Sequence, residues 1–95
     1  MAKTVCKTNI AKAMRKSLLK AEIGHWYFED VADTWQVGIG FPNYQGIYEA
    51  ELWNWDTEET LTVTFGGCES FREVIEFGTA LLMERYEQRH GRKAA

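Results

Sequence analysis

Residues 35–65 read WQVGIGFPNYQGIYEAELWNWDTEETLTVTF, and this stretch decides the fold. Apolar and polar residues alternate within it, and two groups of turn-forming residues interrupt the alternation. Successive side chains of a β-strand point to opposite faces, so a period of two predicts strands. The stretch therefore predicts a β-meander, in which antiparallel strands follow one another in chain order.

The turn residues predict where the strands begin and end, because proline presets φ and glycine accepts positive φ in turns. The predicted strands are His25–Glu29, Trp35–Phe41, Ile47–Trp53 and Thr60–Phe65, joined by turns at Asp30–Thr34, Pro42–Gly46 and Asp56–Glu59. The predicted inward residues are Trp35, Val37, Ile39, Phe41, Tyr48, Ala50, Leu52, Leu61, Val63 and Phe65.

A helix is predicted before the meander, from Asn9 to Ala21, because apolar residues recur there at spacings of three and four. Thr8 or Asn9 is the predicted N-cap, and Gly24 is suited to end the helix. The apolar stripe consists of Ile10, Ala13, Met14, Ser17, Leu18 and Ala21, and the opposite side carries Lys12, Arg15, Lys16 and Lys20. The predicted helix is therefore amphipathic with a basic back.

A second helix is predicted after the meander. Ser70 and Glu73 have the spacing of a capping box, and Gly91 is a natural stop. The apolar stripe between them consists of Phe71, Val74, Ile75, Gly78, Leu81, Leu82 and Tyr86.

These elements predict one small α+β domain over residues 1–95, with residues 1–8 and 92–95 frayed. The predicted order is helix, three- to four-stranded antiparallel meander, helix, with both helices packed on one face of the sheet. This order is similar to that of double-stranded RNA-binding domains. Those domains present lysines at the start of the last helix, where this chain has Glu69, Glu73 and Glu76 around Arg72, so no function follows from the similarity.

The charges are divided sharply along the chain, which has a net charge of −3. The first twenty residues hold six basic side chains and no acid, whereas residues 21–71 hold ten carboxylates and no Lys or Arg. Eleven of the thirteen aromatic residues also lie within residues 21–71. A surface of acids beside aromatic rings suits a basic partner.

The residues at the outward positions of the meander are predicted to form this surface. Glu49, Glu51 and Trp53 alternate with the inward residues and should face solvent, near the loop residues Trp55, Asp56, Glu58 and Glu59. The leading hypothesis is a small non-enzymatic binding protein that inhibits or modulates a larger basic, nucleic-acid-handling protein through this acidic and aromatic sheet face. Compact inhibitors encoded by phages or mobile elements have this general character, which is an analogy only. A solvated face that only keeps the protein soluble is the plain alternative.

The basic first helix supports a different hypothesis. Lys12, Arg15, Lys16 and Lys20 could contact phosphates, making the chain a nucleic-acid-binding or regulatory module that acts alone or as a homodimer. No aromatic residue is interleaved among these side chains to stack on a base, and the chain as a whole is acidic. Direct nucleic-acid binding therefore ranks second.

Catalysis, metal binding and membrane insertion have little support in the sequence. Cys68 precedes a helix N-terminus, a setting that lowers a thiol pKa, so a nucleophile pair with His25 can be imagined. His25 near Glu29, Asp30 and Asp33 lacks a second His or Cys at coordinating spacing. We expect no cofactor, no metal and no membrane partner, and the lack of a signal sequence or apolar span predicts a cytoplasmic protein.

Overall fold

A computed structural model describes residues 5–22, 24–41 and 46–91. The elements are α1 (Lys7–Lys20), β1 (Phe28–Ala32), β2 (Trp35–Gly40), β3 (Tyr48–Asn54), β4 (Thr60–Phe65) and α2 (Phe71–His90). The strands form one antiparallel sheet in the order β1-β2-β3-β4. The predicted α+β meander between two helices is confirmed, with four strands.

Both helices cover the same face of the sheet, as predicted. α1 packs on β1 and β2, α2 packs on β4 and β3, and the two helices also contact each other. They approach closely at Gly78, where an added Cβ would lie 2.9 Å from the Met14 Sδ. The buried apolar residues between the layers are Ile10, Ala13, Met14, Val31, Ala32, Trp35, Val37, Ile39, Ala50, Leu52, Leu61, Val63, Val74, Ile75 and Leu82.

Ser17 joins α1 to the sheet by hydrogen bonds inside this core. Its hydroxyl donates to the Tyr27 carbonyl at 2.5 Å and accepts from the Ile39 amide at 3.0 Å. Ser17 is fully buried, and β1 begins only at Phe28, so the hydroxyl supplies the partner that a longer β1 would have supplied. The polar residue in the predicted apolar stripe is therefore a structural link.

The prediction for the first strand was wrong. The strand is Phe28–Ala32, three residues later than predicted, and the turn is reduced to Asp33 and Thr34, with Asp33 at φ 34°. Val31 and Ala32 are buried beneath the helices. Their burial in the tertiary fold outweighs the strand preference of the aromatic residues before them.

Of the two predicted helix N-caps, one was wrong and the other is confirmed. α1 begins at Lys7, and its N-cap residue Cys6 makes no side-chain capping bond, so the predicted cap at Thr8 or Asn9 was wrong. The cap of α2 is confirmed, because the Ser70 hydroxyl accepts from the Glu73 amide at 3.1 Å. The Glu73 carboxylate accepts in return from the Glu69 amide at 2.9 Å. The predicted loop at residues 42–45 lies outside the described residues, as do residues 1–4 and 92–95 of the predicted frayed ends. Lys7 and Thr8, which were also predicted to fray, belong to α1.

Candidate functional site

The face of the sheet opposite the helices, here called the open face, carries the central part of the predicted site. Its side chains form three rows across the strands, which follow from the strand register. From β1 to β4 the rows are Phe28, Gly38, Glu51 and Thr62; Asp30, Gln36, Trp53 and Thr60; and, from β2, Gly40, Glu49 and Thr64. Glu49, Glu51 and Trp53 therefore share this face, as the alternation predicted.

The two glycines of β2 form a flat floor on which aromatic rings lie. A Cβ added at Gly40 would be 2.8 Å from the Trp26 ring, and one added at Gly38 would be 3.1 Å from the Phe28 ring. The Phe28 and Trp53 rings meet edge to face, with centroids 5.8 Å apart. Aromatic pairs favour this geometry. The floor thus holds an aromatic cluster of Trp26, Phe28 and Trp53 beside the two carboxylates.

Sequence reasoning missed Trp26 and Phe28 as members of this surface. The available signal was the pair of glycines at alternate positions of β2, because a glycine within a strand marks the close approach of another group. With the first strand placed three residues too early, the partners of those glycines could not be assigned.

Glu49 and Glu51 form a carboxylate pair on the open face. Both side chains are half-buried, and neither makes an ion pair within the described part of the chain. Burial, together with the neighbouring charge of Glu49, raises the pKa of Glu51 above its ordinary value. Desolvation and like charge both disfavour the ionised form. The open face therefore holds negative charge at an energetic cost that a cation would reduce.

The turn between β3 and β4 separates the other predicted residues from this pair. β3 ends at Asn54, so Trp55 does not share a strand face with Trp53; it lies in the turn and is 50% exposed. Asp56 and Glu58 are also exposed in this turn. These three residues extend the acidic and aromatic surface at one end of the sheet.

The turn is ordered by Asn54, whose role the sequence did not reveal. The Asn54 side-chain oxygen accepts from the Asp56 and Thr57 amides at 2.9 and 3.0 Å. The Asn54 carbonyl accepts from the Glu58 amide at 2.7 Å, and Glu58 has a positive φ of 65°. Asn54 is itself buried, so it fixes an exposed acidic turn from beneath.

Glu59 does not belong to the open face. Its carboxylate contacts Arg89 at 3.6 Å and His90 at 3.0 Å, at the end of α2. The His90 ring stacks on Tyr86 and meets Trp35 edge to face. These contacts connect the end of α2 to the sheet. Because the Glu59 carboxylate takes part in them, it does not contribute to the acidic surface.

The basic back of α1 is exposed, but two of its four cations have partners within the chain. The Lys20 ammonium lies 2.6 Å from the Glu29 carboxylate. The Arg15 guanidinium lies over the Phe71 ring, 5.8 Å from its centroid. Lys12 and Lys16 make no ion pair with any described residue. The surface available to a phosphate backbone is therefore smaller than the sequence suggested.

The environment of Cys68 is opposite to that of an activated nucleophile. Desolvation and the negative charge of Glu73 raise the pKa of the Cys68 thiol, whereas its place before a helix predicted a lowered pKa. His25 stacks on Tyr27, with ring centroids 5.3 Å apart. No cluster of three metal-ligating side chains occurs among residues 5–22, 24–41 and 46–91. A groove of about 400 Å³ between α1 and α2, lined by residues such as Ala11 and Ile75, lies in the helix layer, away from the open face.

Comparison with protein-family models, with curated proteins and with solved structures finds no match to this chain. Within the described residues, none of the helices is long and apolar enough to cross a membrane.

Proposed function

We propose that this protein binds a larger basic protein through the open face and thereby inhibits or modulates it, without chemistry of its own. The observation that carries the proposal is the carboxylate pair of Glu49 and Glu51, which makes no ion pair with any described residue and lies beside the aromatic cluster. The partner supplies Lys or Arg side chains to the carboxylates and a surface that packs against the rings.

Electrostatics support a cationic partner. An arginine or lysine placed beside Glu51 would offset the desolvation and the repulsion by Glu49 that raise its pKa. A half-buried charge pair gains more from such a contact than a fully exposed pair does, because it is less screened by solvent and salt. Binding should therefore depend on these two carboxylates more than on the exposed acids of the turn.

The aromatic cluster supports a protein partner. Tryptophan and arginine dominate interface energetics, and an aromatic ring can also accept a cation over its face. Trp26 and Phe28 are held on the glycine floor, and Phe28 in turn contacts Trp53. Rings that are held in place before binding lose little conformational freedom when a partner packs on them.

Carboxylate spacing supports a nucleic-acid-handling partner. Glu49 and Glu51 are two residues apart on one strand, a separation of about 7 Å that is comparable to the distance between successive phosphates along a nucleic-acid strand. A protein surface that binds phosphates would therefore also accept this pair. The proposed protein would compete with nucleic acid for that surface.

A peptide-binding experiment with two matched double variants tests the proposal. A fluorescent Arg/Lys-rich peptide serves as the probe, and its anisotropy reports binding to the wild-type protein, to Glu49→Gln/Glu51→Gln and to Asp56→Asn/Glu58→Gln. Each variant removes two negative charges, so the net charge changes equally. We expect at least a tenfold loss of affinity for the open-face variant and a much smaller loss for the turn variant.

The outcomes separate a specific site from general attraction. Equal losses in the two variants would show attraction to overall charge and overturn the proposal. A duplex DNA probe tests the second hypothesis in parallel. Retention of the duplex that disappears on replacing Lys12 and Lys16, with no peptide binding, would favour the basic helix instead.

A further inference from the structure

The two edges of the sheet differ in the features that normally prevent strands from pairing between molecules. Charged side chains, irregular pairing and short length all protect an edge. β1 is five residues long, carries Glu29 and Asp30, and has an irregularity between Asp30 and Ala32. β4 is six residues long, has neither charge nor proline, and pairs with β3 in unbroken register. The edge formed by β4 is therefore unprotected.

The backbone groups at this edge can be assigned from one hydrogen bond. The Asn54 amide donates to the Glu59 carbonyl at 2.9 Å, so Glu59 directs its backbone toward β3. Backbone groups alternate in direction along a strand, so those of Thr60, Thr62 and Thr64 point away from β3. β4 contacts only β3 and α2 among the described elements, and these outward groups have no partner in the described part of the chain.

We propose that β4 pairs with β4 of a second copy of this chain, forming a two-fold symmetric dimer with one continuous eight-stranded sheet. An antiparallel pair of identical strands is self-complementary. With Thr62 opposite its own copy, Thr60 lies opposite Thr64 on the open face, and Leu61 lies opposite Val63 on the covered face. The outward amides and carbonyls of both copies are then hydrogen-bonded.

α2 adds an apolar flank to the same edge. Thr79 faces α1, since its hydroxyl lies 3.9 Å from the Met14 Sδ. Phe77 precedes Thr79 by two residues, which places it about 160° around the helix and therefore on the β4 side. Phe77 is 43% exposed, and Leu81 follows one turn later. A dimer would cover this apolar stripe.

Repulsion between the two open faces does not oppose this arrangement. Glu51 lies on β3, one strand in from the edge. Its distance from the Glu51 of the second copy is three strand spacings, or about 14 Å, twice the separation of about 7 Å between Glu49 and Glu51 within one chain. The dimer would present two open faces side by side, and its formation does not depend on the proposed binding of a basic partner.

The molar mass of the full chain as a function of concentration tests the dimer. Light scattering after size exclusion should give twice the 11.0 kDa of one chain at high concentration. Thr62→Pro removes an outward amide but no bond to β3, so it should shift the protein to monomer. Phe77→Ser should weaken the dimer by at least tenfold, whereas the matched variant Phe71→Ser, which changes an equally exposed ring that faces α1, should leave the dimer unchanged.

Amide hydrogen exchange keeps the test decisive if Thr62→Pro fails to fold. In the wild-type dimer the amides of Thr60, Thr62 and Thr64 should be protected, and dilution should remove that protection. A wild-type protein that stays monomeric at its highest attainable concentration would overturn the proposal. So would a dimer in which these three amides exchange freely or in which Phe71→Ser and not Phe77→Ser causes dissociation.

Discussion

The covered face and the open face of the sheet are built from alternate residues of the same strands, yet their chemistry differs completely. On the covered face, Val37, Ile39 and Leu52 are fully buried beneath two helices. No buried polar side-chain atom lacks a hydrogen-bond partner among the residues that the structure describes. On the open face, half-buried rings lie beside Glu49 and Glu51. The covered face is therefore filled by apolar contacts within the chain, whereas the open face carries two carboxylates that make no ion pair with a described residue.

The largest expected loss of stability comes from shortening a buried side chain on the covered face. Leu52→Ala should lower the free energy of unfolding by about 2–5 kcal/mol, because it removes a fully buried side chain and leaves a cavity. Thr64→Ala, an exposed position of the open face, should cost less than about 1 kcal/mol. Urea denaturation at one fixed protein concentration measures both. Similar losses in the two variants would contradict the division between the faces.

Ser17→Ala tests whether the covered face depends on one polar link. The change leaves the Ile39 amide and the Tyr27 carbonyl without their partner, so we expect a loss of about 1–3 kcal/mol. Exchange of the Ile39 amide should accelerate more than that of amides within β3. A variant as stable as wild type would show that the alanine side chain packs well enough to compensate, and that the link is dispensable.

The smallest effect should come from Glu51→Gln on the open face. Because the pKa of Glu51 is raised on folding, the ionised carboxylate opposes folding at neutral pH, and its protonation as the pH falls stabilises the native state. The glutamine variant should therefore melt slightly higher than wild type at pH 7. The difference should shrink as the pH falls through the raised pKa and vanish below the ordinary value of 4.5.

Thermal melts across this pH range, with Glu58→Gln in the exposed turn as the matched variant, check the effect. A Glu51→Gln protein that melts below wild type at neutral pH would contradict it. That result would mean that the carboxylate makes a favourable contact within the chain.

The sequence was sufficient wherever a local pattern carried the structural information. The alternation of Thr60–Phe65 predicted β4 with its correct bounds, and the Ser70 and Glu73 spacing predicted the cap of α2. The same alternation placed Glu49, Glu51 and Trp53 on one face. These features depend on neighbours along the chain or on the strict two-residue period of a strand, so no distant contact was needed to find them.

Features that depend on distant residues were misplaced or missed. The aromatic residues 26–28 favoured a strand locally, but burial of Val31 and Ala32 under the helices moved β1 toward the C-terminus. Glu59 was assigned to the acidic surface, but Arg89 and His90 draw its carboxylate to the other side. Neither partner is near Glu59 in sequence, so only the folded chain brings them together.

By itself, then, the sequence determined the order of elements, the face on which the residues of β2, β3 and β4 lie and the separation of acidic from basic segments. These follow from periodicity and charge, which are local properties of the chain. Only the tertiary structure decided which acids make no ion pair within the described part of the chain, which rings lie beside them and which sheet edge is unprotected. Those outcomes depend on contacts between residues far apart in sequence, and such contacts form only when the helices pack on the sheet.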